Sequence, residues 1–184
     1  MTEQHENLKE LTVIDSAAPR PWIRFWARYV DIFIFMIGVT FVWALIDMES
    51  LNRTSDTLLS VLLIFSWIFV EGTLLSLFGT TPGKKIFRIR VLNASGNRLT
   101  PMESFKRSRF IWLRGMGVGI GVVQLIANAL AYKTLVKEGY TTWDRDIGTR
   151  VHHANLGSIR AALIVILLLL IFTVLILGAM EGFV

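Results

Sequence analysis

The stretch that decides the fold is AALIVILLLLIFTVLILGAM, residues 161–180, which is mostly Leu, Ile and Val and carries no charged residue. A helix needs about 20 apolar residues to cross a hydrocarbon core about 30 Å thick. Ala161–Met180 is therefore predicted to span a membrane. Three further apolar segments precede it along the chain: Tyr29–Ile46, Leu58–Phe78 and Phe110–Tyr132.

The composition also indicates a membrane protein. Of the 184 residues, 53% are hydrophobic and 18% are charged, whereas soluble domains average about 45–50% and about 25%. A soluble chain of this size has too little interior to bury so much apolar surface. The absence of cysteine excludes a disulfide scaffold. We predict an all-α integral membrane protein with about four transmembrane or re-entrant helices.

The chain divides into three predicted parts. Residues 1–19 contain four acids and one lysine and lack the features of a secretory signal peptide, so they are predicted to form an acidic cytoplasmic tail. Residues 20–157 are predicted to be the membrane domain, in which no internal repeat of fixed period is visible. Residues 158–184 are predicted to add a C-terminal transmembrane helix.

The basic residues predict the orientation. The link between the first two segments carries three acids and one arginine, whereas the next link carries eight basic residues and one acid. Because cytoplasmic loops are enriched in Lys and Arg, we place the N-terminus and the basic link on the cytoplasmic side of the inner membrane. The chain lacks the sequence of a nucleic-acid-binding module, so nucleic acid is not an expected partner.

The basic link has the pattern of a β-hairpin. Residues 86–91 alternate apolar and basic side chains, residues 93–97 favour a turn, and Arg98–Thr100 can return as a second strand. Residues 102–113 then resemble an interfacial helix. Four basic side chains of the link are predicted to face anionic lipid headgroups: Lys84, Lys85, Arg88 and Arg90.

The third apolar segment contains a run of alternating glycines. Gly115, Gly117, Gly119 and Gly121 form two overlapping small-xxx-small pairs, which predict a helix-packing face. The alternative is a broken or re-entrant segment, because a full crossing would place the five basic residues of 133–160 outside. The side of the membrane on which Asp144 and the C-terminus lie stays open.

Several ionisable residues fall inside or beside the apolar segments, where they need partners or a water-filled path. Arg24, Arg28 and Asp31 are spaced by four and three, so they share one helical face. Glu71 is expected at a similar depth, and Arg114 could pair with either acid. Alternatively, the arginines reach the interface and Glu71 is interfacial. The predicted supporting polar network consists of Arg28, Glu71, Arg114 and Arg145.

The remaining polar motifs predict structural roles rather than catalytic or metal-binding roles. Gln124 and Asn128 share a helical face and predict hydrogen bonds between helices. His152 and His153 lack the ligand spacing of a metal site. No nucleophile elbow, P-loop or dinucleotide fingerprint is present in the sequence. We therefore expect no metal, no cofactor and no enzymatic activity.

Three motifs resemble the RDD family of small membrane proteins, which is named for an arginine and two aspartates. RFWARYVD (24–31) is similar to the family's R-x-x-A-x-x-x-D pattern, and GTTPGKKIFRIRVLNASG (79–96) to its G-x-T-x-G-K region. WDRDIGTRV (143–151) resembles the D-x-x-x-G-T-x-V close. The resemblance assigns the named positions to Arg24, Asp31 and Asp144. Trp143 stands where the family usually has histidine, and the last apolar segment lies beyond the family core.

The resemblance implies a function in transport or assembly. We predict a small-ion or solute transporter, with cation/proton exchange as the concrete form and a homo-oligomer as its state. In that form, Asp31 binds the cation or the proton, and Arg24 or Arg28 sets its affinity. The alternative is a non-catalytic adaptor that binds a larger membrane protein. The other expected partner is a bilayer with anionic headgroups.

Overall fold

The computed structural model describes residues 20–181, so the predicted acidic tail lies outside the described residues. The helices are α1 (Pro21–Arg53), α2 (Asp56–Phe78), α3 (Pro82–Ile86), α4 (Pro101–Phe110), α5 (Gly121–Glu138), α6 (Thr142–Ile147) and α7 (Ser158–Glu181). The strands are β1 (Ile89–Leu92) and β2 (Arg150–His153). A π turn over Ile111–Gly115 and a 3-10 turn over Gly117–Gly119 join α4 to α5.

Three of these helices are long and apolar enough to cross a membrane: α1, α2 and α7. The α7 helix has the highest mean hydropathy of the three and buries little of its surface within the chain. Its contact with α1 includes Ile164, which packs with Ala27 and Val30, and Phe172, which lies edge-on to Trp26. The predicted class, an all-α membrane protein, is confirmed.

The α1 helix begins at Pro21, eight residues before the predicted apolar segment. Proline suits this first position because its fixed φ is helical and the missing N–H would have no partner there. The helix leaves helical geometry at Asp47 (φ −155°), whose carboxylate accepts a hydrogen bond from the Ser50 N–H. The early start places Arg24 and Arg28 in the first turns of α1, at the end of the bundle that carries the site.

The third apolar segment is broken, so the prediction of a helical glycine packing face is wrong. Gly117, Val118 and Gly119 all have positive φ, between +53° and +81°, which a right-handed helix excludes. Gly115 does make a close approach, since a Cβ there would lie 3.0 Å from the Trp143 ring, but Gly121 has open space around it. The glycines therefore bend the chain between α4 and α5.

The two strands form an antiparallel sheet, but the predicted hairpin partner is wrong. β1 pairs with β2, with Ile89 opposite His153. The turn at Asn93 is present, since its side chain accepts the N–H groups of Ser95 and Asn97. After that turn the chain does not return as a strand, because Thr100 and Glu103 form the capping box that begins α4.

The described chain contains one short local repeat, in which the end of α2, α3 and β1 resembles the end of α5, α6 and β2. Gly79 ends α2 and Gly139 ends α5, with φ of +68° and +80°. Their N–H groups donate to the carbonyls of Leu75 and Leu135. After each glycine a threonine, Thr81 or Thr141, precedes a short helix and a strand.

Corresponding positions of the short repeat lie 60 residues apart. Val91 and Val151 correspond and are also opposite each other in the sheet. Lys84 and Asp144 are equivalent positions of opposite charge. Five positions of this stretch are identical at that spacing: Leu75 and Leu135, Gly79 and Gly139, Thr81 and Thr141, Arg90 and Arg150, Val91 and Val151.

The sheet makes a direct prediction about cross-linking. Because the chain has no native cysteine and Arg90 lies opposite His152, the double variant Arg90→Cys/His152→Cys is expected to form an intramolecular disulfide under mild oxidation. Gel mobility before and after reduction measures it. Arg90→Cys/Arg98→Cys is the matched pair for the hairpin within the basic link, and preferential cross-linking of that pair would contradict the observed sheet.

Candidate functional site

Seven charged side chains from five helices converge at the end of the bundle where α1 begins. α1 supplies Arg24, Arg28 and Asp31, and α2, α3, α4 and α6 supply one each: Glu71, Lys84, Arg107 and Asp144. The three carboxylates are at most 2% exposed. Buried charges are costly unless they are paired and hydrogen-bonded, so the contacts of each one define the site.

Asp144 accepts hydrogen bonds from two arginines and two threonines. Arg107 donates from Nε and Nη2 to Oδ1 at 3.0 and 2.8 Å, and Arg24 Nη1 donates to Oδ2 at 3.0 Å. Thr141 and Thr149 donate at 2.7 and 2.8 Å. Burial acts to raise the pKa of Asp144, but the two guanidinium groups and the hydroxyl donors outweigh it and hold the pKa below its usual range.

Lys84 occupies the position in the first copy of the short repeat that corresponds to Asp144 in the second. Its ammonium donates to Glu71 Oε1 at 2.7 Å and lies 3.6 Å from Asp31 Oδ2. Arg107 Nη1 lies 4.0 Å from Glu71 Oε1, which joins the two halves of the site. The six side chains thus form a charge ladder of alternating sign: Arg24, Asp144, Arg107, Glu71, Lys84 and Asp31.

Asp31 ends the ladder with both of its oxygens in use. Oδ2 accepts from the Thr81 hydroxyl, and Oδ1 accepts from the Gly83 N–H at 2.6 Å. A Cβ at position 83 would collide with the Ala27 carbonyl oxygen, so only glycine allows α3 to approach α1 closely enough for this bond. Asp31 therefore positions α3 and the lysine that follows.

Arg28 has no carboxylate partner among residues 20–181. It takes part in none of the ion pairs of that region, and its buried Nε has no hydrogen-bond partner there. Its guanidinium lies 5.4 Å from the centroid of the Trp143 ring, a cation–π arrangement. The Trp143 ring thus lies against the cation that has no carboxylate partner among the described residues.

The structure changes the predicted pairing on α1. Arg24 and Asp31 share a face as predicted, yet Arg24 pairs with Asp144 and Asp31 with Lys84. The partners come from α6 and α3, which pack against that face. Lys84 is 8% exposed, so its predicted contact with lipid headgroups is wrong. Lys85, Arg88 and Arg90 are exposed, and their contact with headgroups stays a prediction.

Two other predicted network members lie outside the ladder. Arg114 pairs with Asp146 rather than with Asp31 or Glu71. Arg145 lies 3.7 Å from Glu138 and 3.5 Å from Asp146. These side chains are about half exposed, and such pairs contribute at most about 1 kcal/mol.

The polar residues of α5 bind α1, as predicted. Gln124 and Asn128 both donate to the Tyr29 hydroxyl, at 2.9 and 3.4 Å. This confirms the expected hydrogen bonding between helices. The contact fixes α5 beside the first turns of α1 and so sets one wall of the cavity described below.

His153 has a structural contact at the edge of the ladder. Its Nε2 accepts a hydrogen bond from Arg24 Nε at 3.1 Å, which requires a neutral imidazole. Burial and the nearby Arg24, Arg20 and His152 lower the pKa of His153 to about 4. Within the described part of the chain, no group of three or more His, Asp or Glu is arranged to hold a metal ion.

A cavity of about 330 Å³ opens beside the ladder, between the start of α1 and the C-terminal half of α5. Its polar wall is cationic and contains four side chains: Arg24, Arg28, Lys84 and Arg107. No aspartate or glutamate among the described residues lines it. Its apolar wall includes Trp22, Phe25, Ala129, Tyr132 and Leu135.

Sequence reasoning missed the central role of Arg107. It appeared only as one of many basic residues of the link, yet it is 3% exposed and joins Asp144 to Glu71. The available signal was its spacing from Ser104, which places a small residue on the same face of α4. The neighbouring Phe105 lies against α2, where Gly72 leaves room for its ring.

The fold and the site define a helical membrane protein with an ion-paired interior and a cationic cavity. The RDD family model matches residues 18–183, and the chain belongs to the RDD family. The match includes α7, so the expectation that the last apolar segment lies beyond the family core is wrong. No curated protein and no solved structure matches the chain.

The ladder predicts different effects at two adjacent lysines. Lys84→Ala leaves Glu71 and Asp31 without their shared cation, and we expect it to destabilise the protein by about 3–5 kcal/mol, or about 10 °C in unfolding temperature. Lys85→Ala, at an exposed neighbouring position, should change it little. Thermal unfolding in detergent, followed by size-exclusion chromatography, compares them. Equal stability of the two variants would contradict a structural ladder.

The His153 contact predicts a pH dependence. Because its pKa is about 4 in the folded chain and about 6.5 when unfolded, protons favour the unfolded state. Its contribution to stability is complete above about pH 6.5 and is lost as the pH falls toward 4. In His153→Gln, whose amide oxygen can still accept from Arg24, the unfolding temperature should fall less between pH 7 and 4.5. His152→Gln is the control, and an unchanged slope in His153→Gln would refute the assignment.

Proposed function

We propose that this RDD family protein transports an anionic solute and that the cationic cavity is its binding site. The observation that carries this proposal is the sign of the cavity wall, which has four cationic side chains and no carboxylate among the described residues. Clefts lined by one sign of charge concentrate ligands of the opposite sign. The apolar side chains that also line the cavity lower the local dielectric and strengthen that attraction.

Unused hydrogen-bond donors support an anionic ligand. Within residues 20–181, the buried atoms Arg28 Nε, Arg107 Nη1 and Trp143 Nε1 have no hydrogen-bond partner. All three are donors, and all three residues line the cavity. Buried donors are costly when they are unmatched, and the oxygens of an anion would satisfy them.

The count of buried charges also supports a negatively charged ligand. The ladder and Arg28 together contain four cations and three carboxylates, which leaves one positive charge in excess. Arg28 is the cation without a carboxylate partner among the described residues. A monovalent anion in the cavity would balance the group, whereas a bound cation would add to the excess.

The cavity joins elements that are distant along the chain. Arg24, Arg28 and Lys84 come from α1 and α3, whereas Arg107 and Trp143 come from α4 and α6. Three long apolar helices are few to enclose a path, and we place the function in a homo-oligomer with the cavity facing the cytoplasmic end.

Cation/proton exchange at Asp31 fits this geometry less well. An exchanging carboxylate must have oxygen atoms available to a cation, but those of Asp31 accept from Thr81 and Gly83 and face Lys84. A cation would have to displace Lys84 and pass a wall of like charge. Exchange of this kind is therefore the competing outcome in the experiment below.

The proposal predicts uptake that depends on Arg28. Sealed liposomes with the purified protein are given radiolabelled sulfate, butanesulfonate or octanesulfonate, which are permanently charged. We expect at least one to be accumulated, with uptake at least ten-fold lower in Arg28→Gln because the unpaired cation is lost. Arg53→Gln, at an exposed position that pairs only with Glu49 among the described residues, is the matched control.

A second measurement uses the same liposomes with a pH-sensitive dye inside. Collapse of an imposed pH gradient on addition of sodium, potassium or lithium, absent in Asp31→Asn, would replace anion transport by cation/proton exchange. No Arg28-dependent uptake of any of the three anions by folded protein would refute the proposal.

A further inference from the structure

We infer that the anion taken by this cavity is the headgroup of an amphiphile, a carboxylate, sulfonate or phosphate carried on a hydrocarbon chain. The inference rests on the proposed function, because it names the class of anion that the same site would bind. It follows from three features of the cavity: the combination of cationic and apolar side chains in its lining, its volume and the position of its opening.

The lining of the cavity combines two chemistries. Arg28 and Arg107 contribute guanidinium groups, in which Arg28 Nε and Arg107 Nη1 have no hydrogen-bond partner among the described residues. Phe25 and Leu135 contribute apolar side chains, and Leu135 is 3% exposed. A ligand that satisfies both kinds of side chain carries its negative charge at one end and hydrocarbon at the other.

The volume exceeds what an inorganic anion fills. A water molecule occupies about 30 Å³ in the liquid, so the cavity of about 330 Å³ holds the volume of roughly ten waters. A sulfate or phosphate ion would occupy only the part beside the guanidinium groups and leave the apolar wall against water. Burial of hydrocarbon there contributes about 25 cal/mol for each Å² removed from water.

The opening lies where a membrane amphiphile would reach it. Trp22 at the start of α1 and Tyr132 on α5 both line the cavity and are 61% and 45% exposed. Their ring centroids are 5.9 Å apart. Tryptophan and tyrosine favour the level of the lipid headgroups. A chain held at Arg28 would therefore leave the cavity past this aromatic pair, between α1 and α5, into the bilayer.

Ala129 on α5 leaves space for the hydrocarbon chain between α1 and α5. It lines the cavity and is exposed, so a larger side chain there would enter the path of the hydrocarbon without removing any charge. The polar neighbour Asn128 is occupied by Tyr29. Position 129 therefore provides a variant that tests the apolar part of the site separately from its cations.

The test uses purified protein in zwitterionic lipid vesicles at pH 8.5, with stearic acid spin-labelled near its terminal methyl group. Electron paramagnetic resonance measures the motionally restricted fraction of the probe. We expect about one restricted stearate for each chain, in excess of the fraction shown by the methyl ester of the same probe. That excess should fall at least five-fold in Arg28→Gln and in Ala129→Phe, and persist in Arg53→Gln.

Displacement separates the amphiphile from a free anion. Octanesulfonate should release the restricted stearate at concentrations at least ten-fold below those of butanesulfonate, and sulfate should not compete. Equal displacement by sulfate and octanesulfonate would overturn the amphiphile while leaving an anion site for transport. Equal restriction of stearate and its methyl ester would also overturn it, because the probe would then report only the lipid boundary of the helices.

The failure of the proposed function has a different signature. Arg28-dependent uptake of sulfate with no selective retention of stearate would retain transport and refute the amphiphile. Selective retention of stearate without uptake of any of the three anions would support the ligand class and refute transport. If Arg28→Gln does not fold, Ala129→Phe provides the test. Unchanged restriction of the stearate probe in Ala129→Phe would contradict the proposed route.

Discussion

The rest of the structure depends on the matching of buried charge at Asp144. A carboxylate that is 2% exposed can stay ionised in a membrane protein only if several donors surround it, and here two arginines and two threonines do so. Each donor comes from a different part of the chain: Arg24 from α1, Arg107 from α4, Thr141 from the residue before α6 and Thr149 from the residue before β2. These four contacts fix the relative positions of α1, α4 and α6. The second half of the ladder repeats this arrangement with inverted sign, because Lys84 is the central cation and Glu71 and Asp31 are its acceptors.

The two centres of the ladder, Lys84 and Asp144, have opposite charge. Lys84 on α3 lies against Asp31 and Asp144 on α6 pairs with Arg24, so both short helices are held against the first turns of α1. Two identical charges at those places would repel each other in a region of low dielectric, whereas Lys84 and Asp144 allow one ladder to run through both short helices. Arg107 connects them, since it binds Asp144 directly and lies 4.0 Å from Glu71.

The sequence predicted the helices better than it predicted which of them pack together. The apolar segments of α2 and α7 have the length and composition that a membrane requires, and they were predicted within a few residues of their observed bounds. Arg24, Arg28 and Asp31 were also predicted to share a face, because helical spacing is local. Their partners were not predictable in this way, since Arg24 and Asp144 are 120 residues apart and helical periodicity says nothing about which distant element packs against a face. The break at Gly117–Gly119 shows a further limit, because the same glycines suit close packing and positive φ.

The net charge of the site could not be predicted from the residues that the family motif emphasises. The resemblance to the RDD family emphasises one arginine and two aspartates, Arg24, Asp31 and Asp144, which suggests an acidic centre suited to cations. In the folded chain those three residues are matched by hydrogen bonds and ion pairs, and their role is to hold α3 and α6 against α1. Lys84 and Arg107 enter the interior from the basic link and change the balance to an excess of one positive charge. Arg28, the cation without a carboxylate partner in residues 20–181, faces the cavity from above Trp143. The three acids therefore hold α3 and α6 against α1, and the proposed anion site depends on Arg28, the cation without a carboxylate partner among the described residues.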